Sequence, residues 1–295
     1  MSAPEAALEE ACAPAPVAAR AASVGFVGTS AGTLRAIAWA MLASTLHRIR
    51  RGEGALLAIN LSLIVQQTAT VPRALAQAAV SALAIATMYA FNDLWDAPTD
   101  WRNPKKDRAL IAAYVEHRRG AIGATLLLKL LALGLSLAAL GPAATAAVAA
   151  VMVVNVIYSV ALKGVPVVDV AWVWVWGVLY AAIVEPPLAL LVVVGLMTAT
   201  CHLFQALDDR VPDAANGIRT TAVRSPTLAR NVLVVVSLLL CLSLQAPFGT
   251  AGAVTAFTPL VLFFTVGNPG TGWVLTKAYF GVVWLCLLGM SGAAG

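Results

Sequence analysis

Two short stretches carry residue types that can do ion chemistry. The first is Phe91-Asn92-Asp93-Leu94-Trp95-Asp96-Ala97-Pro98-Thr99-Asp100. The second is Phe204-Gln205-Ala206-Leu207-Asp208-Asp209-Arg210-Val211-Pro212-Asp213. Laid over one another at a constant offset they match at Phe91/Phe204, Leu94/Leu207, Asp96/Asp209 and Asp100/Asp213, with Asn92/Gln205 a similar pair. Downstream, Asn103 matches Asn216 and Lys106 falls opposite Arg219. This internal echo puts one D-x-x-x-D pattern in each half of the chain. On a helix Asn92 and Asp96 lie one turn apart on one face, as do Gln205 and Asp209. Pro98 and Pro212 are expected to break or kink the helix, so that Asp100 and Asp213 sit at its exit. Two such ends facing each other make an oxygen-rich cup. Magnesium suits it, because that ion takes one or two carboxylates together with phosphate oxygens and water. Lys105, Lys106 and Arg108 follow the first cluster, and Arg219 and Arg224 the second; such groups clamp phosphate oxygens. Either cluster alone reads equally as a solvated loop pairing with nearby Lys and Arg. Two in register, on one predicted side, read as a diphosphate site.

The elements that must position these residues are transmembrane. Of 295 residues 60% are hydrophobic and 11% charged, whereas a soluble domain carries about 25% charged residues. That excludes a water-soluble enzyme with one core. Continuous apolar runs, not alternating ones, exclude a β-barrel. The expected fold is an all-α membrane bundle of nine spans near 54–71, 74–91, 121–140, 143–161, 167–184, 187–207, 229–246, 251–267 and 273–291, separated by turn signals such as Pro72, Gly141-Pro142 and Pro186-Pro187. With this cut, sixteen of the 19 Lys and Arg fall on one side and only Arg73 in an opposite loop, with Lys129 and Lys277 inside spans. The positive-inside rule then places the N-terminus and both aspartate clusters in the cytoplasm. Residues 1–31 read as a disordered tail whose acidic start argues against a signal peptide. Residues 32–295 form the membrane domain, opening on an interfacial helix over 32–48. The net charge of +5 is read as facing anionic lipid and phosphate, not nucleic acid. Cys12, Cys201, Cys241 and Cys286 form no CxxC pair, so neither a disulfide framework nor a zinc site is expected.

The motifs resemble those of the UbiA superfamily of intramembrane prenyltransferases. Asn92-Asp93-x-x-Asp96-x-x-x-Asp100 is similar to the family's first aspartate motif, and Asp209-x-x-x-Asp213-x-x-x-Gly217-x-x-Thr220 to the second. Tyr158-Ser159-x-x-Leu162-Lys163 resembles the tyrosine and lysine stretch after the fourth helix. The resemblance covers roughly residues 50–290. It implies a helical bundle around a central cavity, two Mg2+ ions, and an isoprenyl diphosphate whose tail enters a membrane-open tunnel. Two departures stand out. The family's usual further Asp, three residues before the first of motif two, is Ala206 here. The K-x-R-P-L-x-x-G run after motif one is Lys106-Asp107-Arg108-Ala109-Leu110-Ile111-Ala112-Ala113, which should change the loop capping the cavity and points away from housekeeping quinone or haem branches.

On this reading Asn92, Asp96, Asp100, Asp209 and Asp213 hold magnesium. Lys106, Arg108, Lys163 and Arg219 neutralise the leaving diphosphate. Asp93 or Asp208 could complete the metal shell or take a proton. Tyr89, Tyr158, His202 and Gln205 line the substrate cavity, where aromatic faces stabilise cations; His202 contacts acceptor, carries a proton, or is a satisfied core residue. Trp172, Trp174 and Trp176 cannot all face inward. Asp169 reads as an ion-pair partner of Lys163, and Lys129 as snorkelling or paired. The expected reaction is transfer of an isoprenyl group to an acceptor, aromatic by preference, in specialised metabolism. Cyclisation of the prenyl chain without acceptor is the alternative, and cation transport a remote third. The Ala and Val richness fits a GC-rich bacterial genome, and with it the plasma membrane.

Overall fold

A computed structural model describes residues 31–50, 53–67, 70–100 and 107–293; residues 1–30 and Lys106 lie outside them. Every regular element among the described residues is helical. That follows from the long apolar runs: with no water to receive N–H and C=O groups, the backbone must bond to itself. In chain order the main helices are α1 (Ala31–Arg50), α2 (Ala55–Gln67), α3 (Val71–Asp100), α4 (Arg108–Glu116), α5 (Arg118–Ala139), α6 (Pro142–Ile157), α7 (Val168–Ala181), α8 (Leu188–Asp208), α9 (Arg210–Ala215), α10 (Thr221–Arg224), α11 (Pro226–Thr255), α12 (Thr258–Thr265) and α13 (Pro269–Ala293). A π-helical turn, Tyr158–Leu162, extends α6, and a 3₁₀ turn, Ala182–Val184, extends α7. They pack as a bundle around a central cavity.

Six segments are long and apolar enough to cross a bilayer: α3, α5, α6 with its π turn, α8, the first part of α11 and α13. The sequence reading expected nine. Each expected span contains helix, but α2 and α7 are shorter apolar helices, and the eighth span does not form as one piece. α11 holds two helical pieces that meet in a kink at Gly249, whose φ of 61° is accessible to glycine at no steric cost. The second piece runs to Thr255, and α12, of 8 residues, follows from Thr258, so the eighth expected span is divided between two short helices, each well under the length needed for a hydrocarbon core of about 30 Å.

Pro98 acts differently from expectation, whereas Pro212 interrupts its helix as expected. α3 continues through Pro98 to Asp100; the ring removes the one bond that residue 98 would donate to Leu94 O, and the helix ends two residues later. α8 stops at Asp208, ahead of Pro212. Had it continued, the Pro212 ring would have met the carbonyl four residues earlier, that of Asp208. The chain bends at Asp209 and resumes as α9, with Pro212 in its first turn.

α7 and α8 cross closely through small residues. A Cβ at Gly177 would lie 2.6 Å from Thr198 Oγ1, and one at Gly195 would lie 2.6 Å from Val178 Cγ2 and 2.8 Å from Trp174. Close backbone approach of this kind is how helices associate in lipid. Gly195→Val is therefore expected to push the pair apart and lower stability by about 1–3 kcal/mol, read as a drop in Tm of the detergent-solubilised protein; an unchanged Tm would contradict the tight crossing. Polar struts cross the core as well. Asn60 Nδ2 donates to Tyr180 O (3.0 Å) and Ser81 Oγ (3.2 Å), and Tyr180 Oη donates to Ser81 O (2.9 Å).

Candidate active site

The last two turns of α3 carry Asn92, Asp96 and Asp100 at four-residue spacing, so all three share one face. All three line a cavity of about 500 Å³. From the other half of the chain α8 brings Gln205, the bend brings Asp209, and α9 brings Asp213 to the same cavity. Asp213 is carried on the bend by a backbone bond from its N–H to Asp209 O (2.9 Å). The two echoed clusters thus meet in one space.

Between them stands Lys163. In a regular α-helix Tyr158 and Lys163, five residues apart, would point in widely separated directions. The π turn closes instead with Lys163 N donating to Tyr158 O (2.9 Å), and both side chains reach the cavity. Lys163 Nζ pairs with Asp96 Oδ2 at 2.6 Å. Burial alone would lower the Lys163 ammonium's pKa; Asp96, Tyr158 and Asp100 overcome this and hold it above the ordinary lysine range. Burial, with the charges of Asp209, Asp96 and Asp100, pushes the Asp213 carboxyl up to about 7 against the pull of Lys163. Four carboxylates face one ammonium here, so this end of the cavity carries excess negative charge and is suited to cations.

Among the described residues no three His, Cys, Asp or Glu side chains are grouped as a metal-binding cluster. The aspartates therefore do not make an all-protein cage. They line one cavity in two sets, from α3 and from α8–α9, which fits a hard cation taking one or two carboxylates and completing its shell with diphosphate oxygens and water.

The loop bearing the second cluster is clasped from α7. Asp169, fully buried, was expected to pair with Lys163. It accepts instead from Thr221 N (2.8 Å) and from the Thr221 hydroxyl, while Val167 N donates to Thr221 Oγ1 (2.7 Å). Val167 adopts φ 68°, a strained conformation for a β-branched residue that persists only where its surroundings hold it.

Of the residues singled out in the sequence, Tyr89, Asn92, Asp96, Asp100, Tyr158, Lys163, His202, Gln205, Asp209 and Asp213 all line the cavity. Arg108 and Arg219 are exposed and do not. Arg108 opens α4, whose direction is set by Asp107 capping Ala109 N and Leu110 N. Arg219 lies in the loop after Gly217. Asp93, one residue on from Asn92, is rotated off the cavity face. It binds Arg48 Nε (3.2 Å), Arg48 Nη2 and the Ser44 hydroxyl. Asp208 lies beside Gly270, off the cavity wall. Trp172 and Trp176 line the cavity; Trp174 backs onto Gly195. Lys129 donates to Asn155 Oδ1 (3.4 Å) and sits over the Phe91 ring.

Sequence reasoning missed Arg48, Glu53, Asn155, Trp273 and Lys277, all on the cavity wall. Arg48 pairs with Glu53 at 2.6 Å as well as with Asp93, and stacks over the Tyr89 ring. A signal was available. Ile37, Ala40, Met41, Ser44 and Arg48 share the buried face of α1, so the arginine sits where an apolar residue is due. Lys277 Nζ stands 3.4 Å from the centroid of Trp273.

No curated protein matches the chain by sequence. Solved structures share its fold. A UbiA homologue from Archaeoglobus fulgidus bound to DMAPP and Mg2+ aligns with a TM-score of 0.59 at 19% identity, covering 87% of this chain and 98% of that one. The same homologue bound to GPP and Mg2+ aligns at 0.57 and 18% identity, with the same coverage. A digeranylgeranylglyceryl phosphate synthase aligns at 0.65 and 15% identity, also over 87% and 98% of the two chains. At these identities the likeness concerns the fold. The family's own sequence profile spans residues 54–280, more than half of the chain, and on that ground this multi-pass helical protein belongs to the UbiA prenyltransferase family.

Proposed function

We propose that the protein is a magnesium-dependent intramembrane prenyltransferase that moves an isoprenyl group from its diphosphate to an aromatic acceptor in specialised metabolism. One observation carries this reading. Four aspartates from the two echoed motifs line a single cavity together with Lys163, and the same cavity continues past Met88, Trp172, Trp176 and Trp284 as an apolar and aromatic chamber. A charged mouth and an apolar interior match a ligand with a diphosphate head and a hydrocarbon tail.

Asp96, Asp100, Asp209 and Asp213, with Asn92 beside them, would hold two magnesium ions through the diphosphate. Magnesium there would neutralise the diphosphate oxygens and favour heterolysis of the allylic C–O bond. Lys163, fixed by Asp96, presents its ammonium to the leaving group, a preorganised charge that needs no rearrangement as the bond breaks. Tyr158, Trp172 and Trp176 offer ring faces to the cationic chain. The apolar walls keep water from quenching it. Arg108 and Arg219, exposed and off the cavity wall, serve on this reading as electrostatic attraction for incoming diphosphate; Lys106, expected in the same role, lies outside the described residues. The Lys and Arg distribution orients the charged mouth toward the cytoplasm, and we place the protein in a bacterial plasma membrane.

The test is incubation of purified full-length protein in lipid nanodiscs with dimethylallyl or geranyl diphosphate and Mg2+, with and without phenolic acceptors. Diphosphate release that needs Mg2+ and stops with EDTA, together with a prenylated phenol by mass spectrometry, is the expected result. A terpene hydrocarbon or alcohol formed equally well without acceptor would replace transfer by cyclisation. An intact donor under every condition, with cation flux into liposomes, would overturn both.

A further inference from the structure

We propose that His202 is the proton acceptor that ends the reaction, a role that rests on the prenyl-transfer reading. Ionisation moves the C–O electron pair onto the diphosphate and leaves an allylic cation. When a π pair of the acceptor closes the new C–C bond, the positive charge passes to the acceptor ring. Neutrality returns only when a C–H bond on that ring breaks, its electrons restoring aromaticity and its proton going to a base. Cyclisation ends the same way, with loss of a proton to give an alkene. A site that ionises prenyl diphosphates and excludes water therefore needs a base within reach, either the released diphosphate at the mouth or a side chain deeper in the cavity, and the second can take a proton that the first is too far away to reach.

His202 meets the geometric requirements. It lies on α8 seven residues before Asp209, on nearly the same face and about 10 Å deeper. That depth is comparable to a diphosphate plus its first isoprene unit. The side chain lines the cavity, with its ring edge-on to Tyr158 at 6.2 Å between centroids. Its Nε2 is buried and has no hydrogen-bond partner among the described residues. A buried polar atom without a partner is costly, and in a native site such an atom calls for an explanation; a nitrogen kept for a transient proton is one.

The other basic groups on the wall are engaged. Glu53 is paired with Arg48 and Asp96 with Lys163. The remaining aspartates sit at the charged mouth, where bound cations would hold their lone pairs. Among the described cavity-lining side chains His202 alone combines a basic lone pair, a position beyond the ionising bond and no fixed ion-pair partner.

The experiment compares wild type, His202→Gln and His202→Ala in nanodiscs with geranyl diphosphate, Mg2+ and a panel of phenols. It measures diphosphate release and product identity side by side. In both variants release is expected to stay within about threefold of wild type. The deprotonated prenyl product should fall about a hundredfold, the usual weight of a general base, and water-trapped geraniol or linalool should rise in its place. Added imidazole should restore product in His202→Ala. A parallel loss of release and product in both variants, with no imidazole rescue, would make His202 structural and overturn the proposal. An unchanged product pattern would overturn it as well. Wild-type protein that releases no diphosphate would overturn the transfer reading beneath it, and with that reading the need for a base.

Discussion

Asp209→Asn is expected to lower diphosphate release by about a thousandfold while leaving the fold intact. The substitution keeps size and hydrogen-bonding shape and removes only charge. Removing one preorganised charged group from a transition state costs about 10²–10³ in rate. Loss of a direct contact with a doubly charged cation lies at or beyond the upper end of that range. Stability should move the other way. Asp96, Asp100, Asp209 and Asp213 face one ammonium, and burial first, with their mutual repulsion added to it, already drives the Asp213 carboxyl up to about 7. Deleting one charge relieves that repulsion, so Tm should hold or rise, the common relation between activity and stability at a strained site. Asp96→Ala is expected to lose turnover equally, with some loss of stability because Lys163 is left buried without its partner. Asp93→Asn is the internal control. It belongs to the same motif but faces Arg48, so it should cost stability more than turnover. Turnover of Asp209→Asn within tenfold of wild type would mean that the aspartates have been assigned the wrong task.

The second large effect concerns folding. Arg48 is only 9% exposed and holds two carboxylates, Glu53 and Asp93, in a half-apolar setting. Arg48→Met is expected to cost about 3–5 kcal/mol, because breaking a buried pair strands its partners without compensation. The corresponding fall in Tm is on the order of 10 °C. Arg50→Met, two residues away and exposed, should stay within about 0.5 kcal/mol of wild type. Neutralising the stranded partners in Arg48→Met/Asp93→Asn/Glu53→Gln should recover part of the loss, since contacting residues are not additive. An Arg48→Met protein as stable as Arg50→Met would show that the cluster contributes nothing.

The parts of this molecule that could be read from sequence are those set by local spacing. Asn92, Asp96 and Asp100 repeat at helical period, and Asp209 and Asp213 echo them, so their shared face and shared cavity were legible before any coordinates. Apolar runs gave the helices in the same way. Pairings across the bundle were not legible. Hydrophobic period says which face of a helix is buried, not which neighbour covers it. Asp169 was therefore assigned to Lys163, close in sequence, while its true partner Thr221 comes from the other side of α8. Arg48 was read as a topology charge because three arginines lie within four positions of the chain, although its place on the Ile37–Met41–Ser44 face marked it as buried. Length and composition alone single out six of the nine expected spans among the described residues. Pro247 signals a turn, and the backbone leaves helical geometry two residues on, at Gly249, where two helical pieces meet; the break between the second piece and α12 carries no such signal. The π turn has no composition signal, yet it decides that Tyr158 and Lys163 look into the same space.

The candidate centre takes its charges from α3, from the junction after α6 and from the bend after α8, and Thr221 completes the clasp only once the chain has passed α9. During synthesis the chain is laid into the bilayer from its N-terminus. Until the second half is in place, the first supplies Asn92, Asp96 and Asp100 without Asp209 and Asp213, half of the aspartates that line the cavity. On the reading proposed above, the mouth that would hold a diphosphate is complete only when the Asp209 bend docks. A half-made protein would then spare the isoprenoid pool of the membrane in which it is being built.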